Sequence, residues 1–380
     1  MKKLIIIVTV PVVLETWLKG QPRFLSNYYE VEIITASSHT IPSVAEYENV
    51  DIKTMDFTRK ISPLRDTKVL FQLVRYMIKE KPAIVYTLTP KAGLLGMIAS
   101  WISRVPYRIH CVVGLPHLEA KARRKTILTM TEKVTYSFAS KIYCNSLNLQ
   151  TVVSSLTTKP VGVIGNGSVN GVDTEVFKDT LTLEEKKVII NNLGFMEDDF
   201  IITFVGRIVK DKGINELVNV FTKLNLKYKN VKLLLIGDYK NETDPISAIS
   251  MKTIETHKSI KYLEFQEDVG EYMAISSLFV LPSYREGLPN VLIEAGSYGI
   301  PLVATDINGC NEIIQNDING ILVKKKDETD LYNAIEKFVL DTNFYKMIKS
   351  HVRESIIKKY DQKYFLNELL NEFQKIERMK

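Results

Sequence analysis

Cysteine is scarce: Cys111, Cys144 and Cys310 are the only three in 380 residues. They are too few and too scattered for a disulfide framework or a structural zinc site, and a reducing cytosol is the expected setting. No Gly-Lys dipeptide occurs, so there is no Walker A loop. The His-Glu-x-x-His zinc motif is missing too. So is any Asp-x-Asp triplet, the simplest two-carboxylate handle for a magnesium–diphosphate complex. No stretch approaches the ~20 apolar residues of a spanning helix, so the chain is not expected to be integral to a membrane. Lys2 and Lys3 precede an apolar run from Leu4 to Leu14, but no small-residue cleavage site closes it and Pro11 interrupts it. It reads as a buried first strand, not a leader. The nearest approach to a dinucleotide fingerprint, Gly165-Asn166-Gly167-Ser168-Val169-Asn170-Gly171, has its third glycine one position late and no helical pattern at once after it. It reads as a loop where backbone passes close to something.

What is present is globular. Hydrophobic residues are 45% and charged residues 25%, which excludes disordered and fibrous classes, and 380 residues suit two domains. Residues 1–175 hold 22 Lys and Arg against 13 Asp and Glu, a net of +9; the remainder hold 28 against 31, a net of −3, and the two sum to the chain's +6. The basic half is expected to meet something anionic. Short β-branched runs alternate with helical patterns along the whole chain. Leu4–Val10, Val31–Thr35, Ile84–Leu88, Arg108–Val113, Lys141–Asn145 and Val161–Ile164 read as strands in the first half. Ile201–Val205, Lys232–Ile236, Ile260–Phe265, Leu278–Leu281 and Leu302–Thr305 do so in the second. Near-continuous apolar strands separated by helices mean parallel sheets covered on both faces. The predicted fold is α/β, two doubly wound Rossmann-like domains facing a cleft, with the boundary near residue 175.

The most informative segment is Ser283-Tyr284-Arg285-Glu286-Gly287-Leu288-Pro289-Asn290-Val291-Leu292-Ile293-Glu294-Ala295, directly after the strand Leu278–Leu281. Gly287 allows a tight turn and Pro289 suits a helix's first turn. The loop therefore offers backbone N–H groups and a positive helix end to an anion. Glu286 and Glu294 read either as a capping and a solvated carboxylate or as acceptors for the hydroxyls of a sugar and a ribose. A second segment, Phe204-Val205-Gly206-Arg207-Ile208-Val209-Lys210-Asp211-Lys212-Gly213, leaves the second half's first strand. Arg207 and Lys212 are surface cations or, together, a clamp that neutralises a diphosphate. Lys19 and Gly20 read equally as an interrupted surface helix or as a backbone approach to a phosphate.

These two segments, in this order and about 80 residues apart, resemble the glycosyltransferase family 4 enzymes, retaining transferases of the GT-B fold. Arg207…Lys212 is similar to that family's diphosphate-binding pair and Glu286-x7-Glu294 to its Glu-x7-Glu signature. Val8-Thr9-Val10-Pro11…Lys19-Gly20-Gln21, Thr89-Pro90-Lys91-Ala92-Gly93, Val113-Gly114-Leu115 and Asn166–Asp173 resemble a bacterial branch that builds capsule, O-antigen and lipid-linked glycans. The resemblance implies a retaining transfer of a hexose or N-acetylhexosamine from a nucleotide-diphosphate sugar, UDP first, to a membrane-borne glycan. In it Glu294 would bind ribose, and Glu286 the donor sugar. Gly287, Leu288, Pro289, Asn290 and Val291 would supply backbone donors, with Gly206 and Gly20 nearby. Arg207 and Lys212 would stabilise the departing diphosphate, and Phe265 to Asp268 would lie against the base. The C-terminal domain, 176–361, would bind the nucleotide-sugar, and 362–380 would cross back onto an acceptor-binding domain, 1–175.

One position departs from the family pattern. Many relatives carry a His immediately before the glycine that here is Gly114, where this chain has Val113. His117, on the loop side, is the candidate for touching the donor sugar; His110 is expected to point into the sheet. On the acceptor side Ala120–Val134 places Lys121, Arg123, Arg124 and Lys125 beside Ile127, Leu128 and Met130. That composition fits either a solvated helix face or contact with an anionic membrane surface. A polyprenyl-diphosphate acceptor would explain it, with Lys91 and Lys19 as its binding cations. Nucleic acid is not expected, because the basic run has no interleaved aromatic. No cofactor and no metal are expected, and the location is cytoplasmic, peripheral on the inner face of the cell membrane. The alternatives are a GT-B-fold sugar-nucleotide epimerase and a non-catalytic nucleotide-sugar binding protein.

Overall fold

The computed structural model describes residues 1–58, 62–115, 122–239 and 244–378. The chain divides into two compact units, Met1–Gly171 with Gln362–Lys380, and Val172–Asp361. Unit 1 contains β1 (Lys3–Ile7), β2 (Glu30–Thr35), β3 (Asp51–Thr54), β4 (Ile84–Thr87), β5 (Tyr107–Val112), β6 (Lys141–Cys144) and β7 (Val161–Val163). They form a parallel sheet in the order β3-β2-β1-β4-β5-β6-β7. Unit 2 contains β8 (Phe200–Val205), β9 (Val231–Ile236), β10 (Ile260–Leu263), β11 (Leu278–Leu281), β12 (Leu302–Thr305) and β13 (Gly320–Val323). Its parallel order is β10-β9-β8-β11-β12-β13.

Residue alternation puts a core on each face of the first sheet. Leu4, Ile6 and Val8 join one apolar cluster and Ile5 and Ile7 the other, as the two-residue strand period requires. Helix Pro63–Glu80 covers the second face with Val69, Leu73 and Met77. Helix Gln362–Arg378 covers the first with Phe365, Leu366, Leu369, Leu370, Phe373 and Ile376, spaced to lie on one stripe. Phe373 meets Tyr86 edge to face, with ring centroids 5.4 Å apart. Two strands escape the sequence reading, β3 and β13. Both are sheet edges, where one side is unpaired and an Asp-Ile-Lys-Thr or Gly-Ile-Leu-Val segment need not be a buried apolar run. Helix Ala122–Phe138 takes in Arg124 and Lys125 of the basic segment.

Candidate active site

Two loops converge at one point of the second sheet. The chain runs from β8 outward to β9 and β10, then returns to β11 on β8's other side. At such a reversal the strand-to-helix loops diverge and leave a crevice at the strands' carboxyl ends. Segment 206–213 leaves β8 and segment 282–289 leaves β11.

The β8 loop makes a 3-10 turn, Lys210–Lys212, and ends at Gly213, whose φ of 71° opens helix Ile214–Lys227. A Cβ there would stand 2.1 Å from the Pro282 carbonyl oxygen, so only glycine lets the loops close on each other. The Tyr284 N–H donates to the Asp211 carbonyl at 2.7 Å. Arg285 donates from Nε and Nη2 to Asp211 Oδ2 at 2.9 and 2.5 Å. The Tyr284 hydroxyl donates to Glu216 Oε1 at 2.5 Å. Lys212 Nζ donates to Glu286 Oε1 at 2.5 Å, both side chains mostly buried.

The β11 loop is held from its other side by the segment after β12. Asn308 Nδ2 donates to the carbonyls of Glu286 and Gly287 at 3.4 and 3.2 Å, and Thr305 Oγ1 to that of Ser283 at 2.5 Å. Gly309, at φ 80°, comes so close that a Cβ would lie 1.8 Å from the Gly287 oxygen. In trans peptides the N–H opposes the C=O, so fixing these carbonyls turns the amides of Gly287 and Leu288 the other way. Helix Asn290–Ser297 then starts after the buried Pro289 with no side-chain cap, leaving its first amides and its positive end toward the loop. Leu288 and Val291 anchor the segment against the unit 2 core. Glu294 sits one turn inside this helix, half-buried, and burial alone pushes its carboxyl up to about 7 with no cation or donor offsetting it.

Arg207 is exposed on the β8 loop. The Gly206 N–H donates to the Ile236 carbonyl at 2.9 Å, so this amide belongs to the sheet rather than to a ligand. Phe265, 69% exposed, follows β10 on the same carboxyl edge, its N–H held by Asp238 Oδ1 at 3.2 Å.

In unit 1 the reversal lies between β1 and β4. Thr9 and Thr89 tie the two loops there, hydroxyl to hydroxyl at 2.6 Å. Lys91, on the β4 side, donates to Asp66 Oδ1 at 2.8 Å and Thr58 Oγ1 at 3.1 Å, so its charge is matched within the unit. Of the two readings left open for Gly20, the structure shows its N–H donating at 2.7 Å not to solvent but to Glu48, a buried carboxylate that also accepts from the Arg23 N–H at 3.1 Å. Lys19 is exposed, its ammonium 5.3 Å from the Tyr47 ring centroid. His110 is buried, its Nδ1 2.8 Å from Thr87 Oγ1, and burial lowers it to about 4. His117 and Lys121 lie outside the described residues.

The second unit thus brings Arg207, Lys212, Glu286, Gly287–Val291 and Glu294 to one sheet edge. Sequence reasoning missed what joins them: Asp211, Arg285, Tyr284, Asn308 and Gly309. Asp211 between two expected cations and Arg285 beside Glu286 carried a signal, since alternating charges at a site pair. Asn308 and Gly309 carried none, because their contacts cross about 20 residues. Chemically the site combines oriented amides, a helix N-terminus, a cation pair and an unmatched carboxylate, the elements that hold a diphosphate beside polyols.

The family model for glycosyl transferases group 1 matches residues 185–355, and that for glycosyl transferase 4-like domains matches 10–146. The chain is 32% identical to the capsular polysaccharide biosynthesis glycosyltransferase CapM of Staphylococcus aureus, over 93% of this chain and 92% of that one. It is 28% identical to the UDP-Gal:alpha-D-GlcNAc-diphosphoundecaprenol alpha-1,3-galactosyltransferase of Escherichia coli, over 79% and 77%. The crystal structure of Anabaena Alr3699/HepE in complex with UDP and glucose superposes with a TM-score of 0.80 at 19% identity, covering 99% and 100% of the two chains.

Proposed function

Because this chain belongs to the glycosyl transferases group 1 family and is a glycosyltransferase, we propose that it moves a hexose or N-acetylhexosamine from a UDP-sugar to a lipid-linked glycan, with retention and without a metal. The observation that carries this is the junction of the β8 and β11 loops through Lys212–Glu286 and Asp211–Arg285, with the unmatched Glu294 behind it. The two relatives, one a capsular glycosyltransferase and one using UDP-Gal on a diphosphoundecaprenol-borne sugar, support the donor and acceptor classes.

In this reading Glu294 accepts hydrogen bonds from the ribose hydroxyls and Phe265 offers an aromatic face to the base. Glu286 and the amides of Gly287 and Leu288 meet the sugar and the phosphates. As the anomeric carbon–oxygen bond breaks, negative charge grows on the departing diphosphate, and Arg207 and Lys212 stabilise it more than they stabilise the bound donor. The acceptor hydroxyl attacks from the same face, its oxygen bonding to the anomeric carbon as its proton passes to the leaving phosphate oxygen. Lys212 is already paired, so the diphosphate shares it with Glu286. Lys91 and Lys19 line the acceptor side, at the inner face of the cell membrane. Among the described residues no helix is long and apolar enough to cross a membrane, and no three His, Cys, Asp or Glu side chains gather as a metal site needs.

Calorimetric titration against UDP-, GDP- and CDP-sugars tests the donor, and a UDP-sugar is expected to bind best. Arg207→Ala should lower kcat about a hundredfold while changing donor affinity far less. Turnover should survive EDTA. Wild-type rate in Arg207→Ala, or activity abolished by EDTA and restored by magnesium, would overturn the mechanism.

A further inference from the structure

We propose that unit 1 seats on an anionic phospholipid bilayer through the outward face of three adjacent helices, Pro63–Glu80, Pro90–Ile102 and Ala122–Phe138. The inference deepens the reading above, resting on it for why a bilayer is near, and its test needs neither donor nor acceptor.

The first helix carries the clearest signal. Its inward stripe, Val69, Leu73 and Met77, is buried in the core. Its outward side nevertheless shows Leu64, Phe71 and Ile78, 89%, 71% and 56% exposed. They are seven residues apart, close to two helical turns, so they fall on one line down the helix. Arg65, Lys68, Arg75 and Lys79 are exposed beside that line. Three aligned apolar side chains in water are a cost that single scattered ones are not.

The middle helix packs between the other two and is apolar nearly all round, PKAGLLGMIASWI, which is the composition of a helix with no water-facing side. Its outward residues Leu94 and Ile98 are half-buried, and Trp101 and Ile102 are exposed. Its one charged residue, Lys91, is bound by Asp66. The third helix repeats the mixture, with Arg124, Lys125 and Lys133 exposed among Ile127, Met130 and Val134.

Charge selects the occupant. The three helices contain three acids, and none stands exposed and unmatched: Asp66 is paired with Lys91, Glu80 with Lys3, and Glu132 is buried. Two copies of such a face would set cation against cation, whereas anionic headgroups would meet every one. Aromatic and aliphatic side chains entering the headgroup boundary, with Lys and Arg at phosphate level, are how an interfacial surface holds a bilayer. The surface is wider than the Lys121–Met130 segment read from the sequence, extending over helix Pro63–Glu80 and the end of helix Pro90–Ile102.

The test is co-sedimentation of the full chain with vesicles of phosphatidylcholine alone and of phosphatidylcholine and phosphatidylglycerol in equal parts. Binding is expected only to the anionic vesicles, weakening on the order of tenfold at high salt. Phe71→Asp with Ile78→Asp, and separately Lys68→Glu with Arg75→Glu, should each lower it tenfold or more while UDP affinity, measured on the same samples, stays at the wild-type value. Failure to bind anionic vesicles, or undiminished binding by both double variants, overturns the proposal. So does wild-type self-association in light scattering that Phe71→Asp abolishes, since the face would then cover a second copy. Vesicle binding without UDP binding would sink the donor reading and leave this one standing.

Discussion

Glu294 is the residue where environment and chemistry are most sharply coupled. Burial raises its carboxyl from 4.5 to about 7, so the folded state holds the proton more tightly than the unfolded chain. The sign follows: stability tied to this group is full below 4.5, declines as pH rises toward about 7, and is flat above. Glu294→Gln should therefore raise the unfolding free energy at alkaline pH by about 1–3 kcal/mol, since this carboxyl is only half-buried, and leave it unchanged in acid, as thermal unfolding at both pH values would show. Ribose hydroxyls favour the ionised form. Wild-type UDP affinity should thus climb with pH through about 7 and level off, and Glu294→Gln should bind weakly with no such rise. A wild-type affinity that is flat across this range would separate Glu294 from the nucleotide. Glu286 differs for a physical reason: its charge is matched at 2.5 Å by Lys212, so it is an organising contact before it is a ligand contact.

At the scale of elements, the candidate site is a property of loops that only glycines allow to meet. Gly309 combines a left-handed φ of 80° with a near-contact on Gly287. Gly309→Ala should cost about 1–3 kcal/mol of unit 2 stability and, by displacing the Gly287 loop, lower UDP-sugar affinity tenfold or more. Thermal unfolding and calorimetry on one preparation check both, and an unshifted affinity would show that the segment after β12 does not set the loop. Elements with strong periodicity were readable: β11 and β12 span the residues expected, because strands buried on both faces must be apolar throughout. The edge strands β3 and β13 were not, because their identity comes from the neighbour they pair with.

At the scale of the whole molecule, each unit has its own cores, and the last helix belongs to the first unit in sequence-distant company. Phe373→Ala should remove about 3–5 kcal/mol from unit 1 and leave UDP binding by unit 2 near its wild-type value. Differential scanning calorimetry with a parallel UDP titration would show this, and an equal loss of UDP affinity would contradict it. Alternating apolar runs and helical patterns were enough to determine two parallel α/β sheets, and the placing of Arg207, Lys212, Glu286 and Glu294 at strand ends was legible because a loop's position after a strand is local. Tertiary structure alone decided that Lys212 is paired with Glu286, that Glu48 takes the Gly20 amide, and that Leu64, Phe71 and Ile78 face outward. Those outcomes depend on which strands lie side by side and which helix face the sheet covers, and a linear order of residues does not contain either.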